Sequence, residues 1–299
     1  MNRRQFLATT TMAATASLLS APELSARDRA GHGVEWPIGC FNRPWHEKKD
    51  WGLDTALDGI RDAGFKIVGL LRTGKGEPLC NSEATPEYLE QLKKRIASRG
   101  LRVNMSALRV KTALPLDEQI KDVRKQIDHS RIVGAEFGLT FGVDGPKYYE
   151  NYYKLMKDAA AYGQEKGLKV VLKPHGGASG AAEEIMRCIR KVDHPNFKIW
   201  FDAGNIIYYT GKDPVEQLKP IVQYVTGFCA KDCDHQKGSV NLEFGTGKVD
   251  FHAVFSELKR GGFNGPVMDE CVALSSSPEE ATENARKNRV YLEKLFASL

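Results

Sequence analysis

Residues 148–177 read YYENYYKLMKDAAAYGQEKGLKVVLKPHGG, and this stretch decides the fold. Tyr148–Lys166 has the apolar spacing of an amphipathic helix, and Gly167 follows where a left-handed residue ends one. Lys169–Lys173 is then a short β-rich run, and it breaks abruptly into Pro174, His175 and two glycines. A helix, a glycine stop, a buried-looking strand and a polar strand end make one repeat of an alternating α/β chain.

Working outward, the same unit recurs along the sequence. Strands are expected at Pro37–Phe41, Ile67–Leu71, Leu101–Ser106, Glu136–Phe141, Lys169–Lys173, Lys198–Asp202, Thr226–Lys231 and Pro266–Glu270. Helical patterns fall at Thr55–Ala63, Pro86–Arg99, Leu116–Val133, Tyr148–Lys166, Ala181–Lys191, Val215–Leu218, Phe251–Arg260 and Glu279–Ala297. Gly64, Gly100, Gly167 and Gly261 each stand just past a helical run. Eight such units predict an α/β protein built as a single (β/α)8 TIM barrel over residues 31–299. A doubly wound sheet is the alternative, but its glycine-rich phosphate loop after the first strand is missing.

The chain has 299 residues, 41% of them hydrophobic and 27% charged, which excludes wholesale disorder. A net charge of +5 is mild and predicts no nucleic-acid partner. Six scattered cysteines do not make a disulfide scaffold. Arg3-Arg4-Gln5-Phe6-Leu7 followed by an uncharged, weakly apolar run from Ala8 to Ala21 resembles a twin-arginine (Tat) export signal. Residues 1–30 are therefore read as signal and linker, cleaved near Ala26, with the Tat machinery as a transient partner and a periplasmic or otherwise exported product. Cleavage removes Arg3, Arg4 and Glu23 and lowers the net charge to +4. No stretch is long and apolar enough for a stable membrane span.

In a barrel of this kind, chemistry sits at the carboxyl ends of the strands. Those ends carry Asn42, Arg72, Lys173, His175, Asp202, Asn205, Lys231 and Glu270. Lys173 and His175 are two apart and share a strand face. A structural reading stands beside each: Lys173 neutralised by Asp202 or Glu270, His175 as a loop residue, Asp202 as a helix N-cap. Gly204 beside Asn205 suggests a close backbone approach. Cys229 reads as an inert buried thiol, and its spacing to Cys233 matches no zinc pattern. His32, His46, His129, His194 and His252 read as surface residues, and His235 as one that could reach the pocket.

The strand 5 end Leu172–His175, the turn Asp202-Ala203-Gly204-Asn205, Lys231-Asp232, the run Gly245–Phe251, Gly262–Pro266 and Glu270 together resemble the xylose-isomerase-like sugar phosphate isomerase/epimerase family. The resemblance implies a divalent metal held by Glu, Asp, His and Glu from strands 5 to 8, two of the carboxylates also moving protons. Asp202 and Glu270 match two of those positions. Lys173 and Cys229 replace the strand 5 Glu and strand 7 His, and Asn205 replaces a frequent strand 6 His. A metal (Mn, Zn, Co or Mg) held by His175, Asp202 and Glu270 is then expected; the alternative is a lost metal, with Lys173 as base or electrostatic clamp.

The expected activity is sugar isomerisation or epimerisation by proton transfer next to a carbonyl. Glu270, Lys173 and His175 are the catalytic candidates, and Asn42, Arg72, Asn205 and Lys231 the substrate-binding ones. The substrate is a small carbohydrate, and a homo-oligomer is possible. A lyase expelling the aglycone of a 3-keto-glycoside and a non-catalytic sugar-binding barrel are the alternatives.

Overall fold

The computed structural model describes residues 33–299 apart from residue 75, so the stretch expected to be an export signal lies outside the described residues. The strands are β1 (Ile38–Phe41), β2 (Ile67–Leu70), β3 (Arg102–Ala107), β4 (Phe137–Thr140), β5 (Lys169–Leu172), β6 (Phe197–Phe201), β7 (Val225–Ala230) and β8 (Val267–Asp269). All pair in parallel in chain order, and β1 closes on β8 through Ile38 opposite Val267 and Cys40 opposite Asp269. The α-helices are α1 (Leu53–Asp62), α2 (Pro86–Ala97), α3 (Leu116–Ile132), α4 (Tyr149–Lys166), α5 (Ala182–Val192), α6 (Ala203–Thr210), α7 (Pro214–Leu218), α8 (Phe251–Arg260) and α9 (Pro278–Ser298). Among the described residues no helix is long and apolar enough to cross a membrane.

Strand alternation splits the apolar residues into two cores. Val170, Leu172, Ile199, Phe201, Phe228, Ala230 and Val267 point outward into the shell shared with the helices. Val171, Trp200, Cys229 and Met268 point inward and, with Phe41, Met105, Phe137 and Leu139, fill the barrel interior. Glycine opposite a large side chain makes the inner layer fit. A Cβ at Gly227 would lie 2.1 Å from the Trp200 indole nitrogen. Gly227→Ala is therefore expected to cost about 1–3 kcal/mol by overpacking, read as a lower denaturant midpoint at unchanged slope.

Every expected strand is present, but the last four stop one residue short of their polar ends. Lys173, Asp202, Lys231 and Glu270 each sit immediately past the last paired residue. Alternation continues through them, so all four land on the inner face directly above Val171, Trp200, Cys229 and Met268. Two local expectations change. Helix α6 adds to the expected helical runs, and Asp202 caps it, as its structural reading had it, accepting the Asn205 N–H at 2.9 Å. After α8 the left-handed glycine is Gly262 (φ 77°), while Gly261 keeps helical backbone angles.

Candidate active site

The inner faces of β5 to β8 end in a ring of alternating sign: Lys173, Asp202, Lys231, Glu270. All four are buried, none more than 2% exposed. Unpaired charges at that depth would be prohibitive, so the four are ion-paired with one another, although Asp202 Oδ2 is left without a hydrogen bond. Lys173 Nζ donates to Glu270 Oε2 and stands 3.2 Å from Asp202 Oδ2. Lys231 Nζ lies 2.8 Å from Glu270 Oε1, 3.3 Å from Asp202 Oδ2 and 3.1 Å from Asn205 Oδ1. Arg43, from the turn after β1, adds a third cation 3.0 Å from Glu270 Oε1 and also pairs with Glu47 at 2.8 Å.

These contacts set the charge states. Burial alone would raise the Glu270 carboxyl, but Lys173, Lys231 and Arg43 outweigh it and hold it well below the usual carboxylate range. Burial wins at Asp202, which is raised despite the pull of Lys231 and Lys173. Lys231 faces the same burial penalty, yet Asp202 and Glu270 push it upward, so it stays an ammonium.

Gly204 gives Lys231 its path. A Cβ there would lie 2.4 Å from Lys231 Cγ and 2.8 Å from its carbonyl oxygen, which is the close approach expected from the sequence.

Above the ring opens a cavity of about 530 Å³ lined by Arg72, Arg109, Phe141, Asp144, Lys173, His175 and Glu270, among others. His175 packs against Phe141 (ring centroids 5.5 Å apart) and Tyr209 (4.8 Å), and the Tyr209 hydroxyl lies 3.0 Å from its Nε2. Burial, then the positive charges of Lys173 and Lys231, lower His175 to about 4. It is therefore a neutral imidazole at neutral pH. Between the ordinary histidine pKa and about 4 the unfolded chain binds the extra proton, so this group removes stability as pH falls through that window. An NMR titration of His175 should show a midpoint near 4, and in Lys173→Met that midpoint should rise because one repelling charge is gone.

Several expected substrate contacts serve the scaffold instead. Asn42 is fully buried: its Oδ1 accepts the N–H groups of Leu71 and Arg72 at 2.9 and 3.0 Å, and its Nδ2 donates to the Arg72 carbonyl at 2.7 Å. It clamps the end of β2 and so presents Arg72. Asn205 donates to the Pro174 carbonyl at 2.6 Å and holds Lys231. Neither amide lines the cavity, and Lys231 lies beneath its floor. Other histidines also differ from expectation. His235 is exposed and pairs with Asp234. His46 and His129 are buried, bound to Asp50 and to the Asn81 carbonyl. His32 lies outside the described residues.

Two members of the expected metal triad, Asp202 and Glu270, come together among the described residues. The donor group the structure gathers is Asp202, Cys229 and Glu270, with ligand atoms within 4.8 Å of one another, rather than a set containing His175. The chemistry of this set does not fit a divalent ion as it stands. Two ammonium groups already stand at the Glu270 and Asp202 oxygens, and a divalent ion held there would meet their positive charge with little water to screen it. Burial pushes the Cys229 thiol well above its ordinary value, in keeping with the inert buried thiol read from the sequence.

A closed parallel barrel with its ionisable groups gathered at the carboxyl ends of the strands is the architecture of a TIM-barrel enzyme. The chain belongs to the xylose isomerase-like TIM barrel family, whose model matches residues 57–295. It is 24% identical over 279 residues to L-ribulose-5-phosphate 3-epimerase UlaE of Salmonella heidelberg, covering 88% of this chain and 95% of that one. Solved structures share the fold. D-allulose 3-epimerase from Methylomonas sp. superposes with a TM-score of 0.69 at 16% identity, covering 89% of this chain and 99% of that one. A xylose isomerase-like TIM barrel protein from Mycobacterium smegmatis, solved in complex with magnesium, gives 0.70 at 18% identity, covering 88% and 97%.

Arg43, Arg109, Phe141 and Tyr209 are parts of the site that sequence reasoning missed. Arg109 had a signal: it lies two residues past β3, in the position that Arg72 holds after β2.

Proposed function

We propose that this protein is a sugar isomerase or epimerase that moves a proton at a carbon next to a carbonyl, using a buried ion-pair cluster in place of a divalent cation. The observation that carries the reading is the Lys173–Glu270 pair on the cavity wall, backed by Lys231 and Asp202. The curated relative named a 3-epimerase supports the reaction class.

In this reading Glu270 takes the proton from the α-carbon. The electron pair of the C–H bond moves into the carbonyl and leaves an enediolate oxygen. Glu270 loses its charge at that moment, and its three cations, already in place, lose their partner. Lys173 turns to the new oxyanion, so negative charge moves by one short step within a fixed positive field. His175, neutral at working pH, donates an N–H to the carbonyl oxygen. Inversion of the same carbon takes a proton on the opposite face from water in the cavity while Glu270 gives its own proton up to the hydroxide left behind, and delivery of the Glu270 proton to the neighbouring carbon isomerises the sugar. The twin-arginine stretch supports export of the folded enzyme, testable by fractionating cells that carry wild-type or Arg3→Lys/Arg4→Lys protein.

Incubating the protein with ketoses in D2O tests the reaction. The reading expects deuterium at the carbon next to the carbonyl in both product and recovered substrate. Aglycone release from a 3-keto-glycoside, with no exchange into any ketose, would replace it with elimination.

A further inference from the structure

We infer that the cavity binds an anionic substituent of its substrate, a phosphate monoester or carboxylate, on the guanidinium groups of Arg72 and Arg109. The inference rests on the proposed carbohydrate reading for its substrate but not for its site.

The charges facing the cavity do not balance. Its wall carries Arg43, Arg72, Arg109 and Lys173 against Asp144 and Glu270, and His175 is neutral. Lys173 and Arg43 are accounted for by Glu270, Asp202 and Glu47. Arg72 and Arg109 are not: among the described residues, no carboxylate forms an ion pair with either side chain. Burial, then the neighbouring Arg72 charge, lower Arg109, with Glu270 pulling the other way. Two like charges placed together, with Glu47 and Glu270 acting on them only from beyond ion-pair distance, mark a site that a ligand completes.

Arg109 is held by its side chain, and the exposed Arg72 by its backbone alone. The backbone of Arg72 is fixed on both sides by the buried Asn42 amide. The Arg109 guanidinium stacks 5.0 Å over Phe141 and donates one N–H to the Leu71 carbonyl at 2.5 Å, which leaves its other donors for the cavity. Stacking and one fixed bond orient a planar fork that matches an oxyanion.

The usual place for such a group is closed. Barrels often bind phosphate on the glycine-rich loops after strands 7 and 8. Here the candidate loop after β7 is Gly245-Thr246-Gly247-Lys248-Val249, and its amides are already used. Asp232 accepts the N–H groups of Gly245 (3.0 Å), Gly247 (2.8 Å) and Val249 (3.1 Å), as well as that of Cys233. The anion position therefore moves across the mouth to the ends of β2 and β3, opposite the Lys173–Glu270 pair.

Inorganic phosphate is the probe. Calorimetry should show it binding the wild type, with affinity falling about 10- to 100-fold in Arg72→Gln and in Arg109→Gln. Circular dichroism melts check that both variants fold. With turnover measured, a ketopentose 5-phosphate or a keto-uronate should be preferred over the uncharged ketopentose. That preference ratio should fall by a similar factor in each variant, and the better of the two anions identifies the substituent. Phosphate binding that is lost in the variants, with no ketose turned over, would keep this site and sink the proposed reaction. Equal phosphate affinity in wild type and variants, or turnover of free ketoses with no anion preference, would overturn the site and leave the reaction standing.

Discussion

Glu270→Gln should lower kcat/KM on the enzyme's sugar by about 10²–10⁴ while the barrel stays folded. The amide keeps the shape of the carboxylate but cannot take a proton, so the loss should appear in kcat and in deuterium exchange rather than in KM. The substitution also removes the carboxylate shared by Lys173, Lys231 and Arg43, leaving Asp202 beside the two lysines and Glu47 on Arg43. A stability loss of about 3–5 kcal/mol is expected from breaking a buried pair. Stability and turnover are then separable: an assay well below the melting transition isolates the chemical effect. Turnover within tenfold of wild type in a folded Glu270→Gln protein would remove Glu270 from the role of base.

Lys173→Met should cost about 10²–10³ in kcat, the scale of losing one preorganised donor to a developing oxyanion. Methionine keeps most of the stem volume and leaves Glu270 paired with Lys231 and Arg43. The pH profile separates this role from a merely structural one. In the wild type, Glu270 is held well below the usual carboxylate range, so it stays ionised throughout the mildly acid region and does not set the acid limb. His175 sets it instead, near pH 4. Removing Lys173 takes away the strongest cation acting on Glu270 and a charge that repels a proton from His175, so the acid limb should move to higher pH. A profile unchanged in position, with only a uniform fall in amplitude, would argue that Lys173 holds structure and not charge.

The fold was legible because the residues at the barrel ends obey simple alternation. Val171, Trp200, Cys229 and Met268 had to face inward once their strands were recognised, and Lys173, Asp202, Lys231 and Glu270 follow two positions later. Which polar side chains meet substrate was less legible. Asn42 and Asn205 look in sequence like amides at a strand end, available for hydroxyl groups. Only the fold shows their hydrogen bonds spent on the backbone of Leu71, Arg72 and Pro174. The metal question had the same limit. The sequence shows a lysine where a family carboxylate is expected, but not that Lys231 reaches the same two carboxylates from the neighbouring strand. The Gly245–Val249 run, in sequence only a segment of family resemblance, proves in the fold to spend the N–H groups of Gly245, Gly247 and Val249 on Asp232.

Replacement of a divalent cation by the Lys173–Lys231 ammonium pair is the central claim, and one measurement tests it directly. Protein stripped of metals by exhaustive chelation, with metal content verified by mass spectrometry, is incubated with its ketose in D2O. Deuterium incorporation at the carbon next to the carbonyl is then followed with and without added Mn, Co, Mg or Zn. The account predicts exchange at the same rate in stripped and supplemented protein, and its loss in Lys173→Met and Glu270→Gln. Exchange that disappears on chelation and returns with one divalent ion per chain would contradict it.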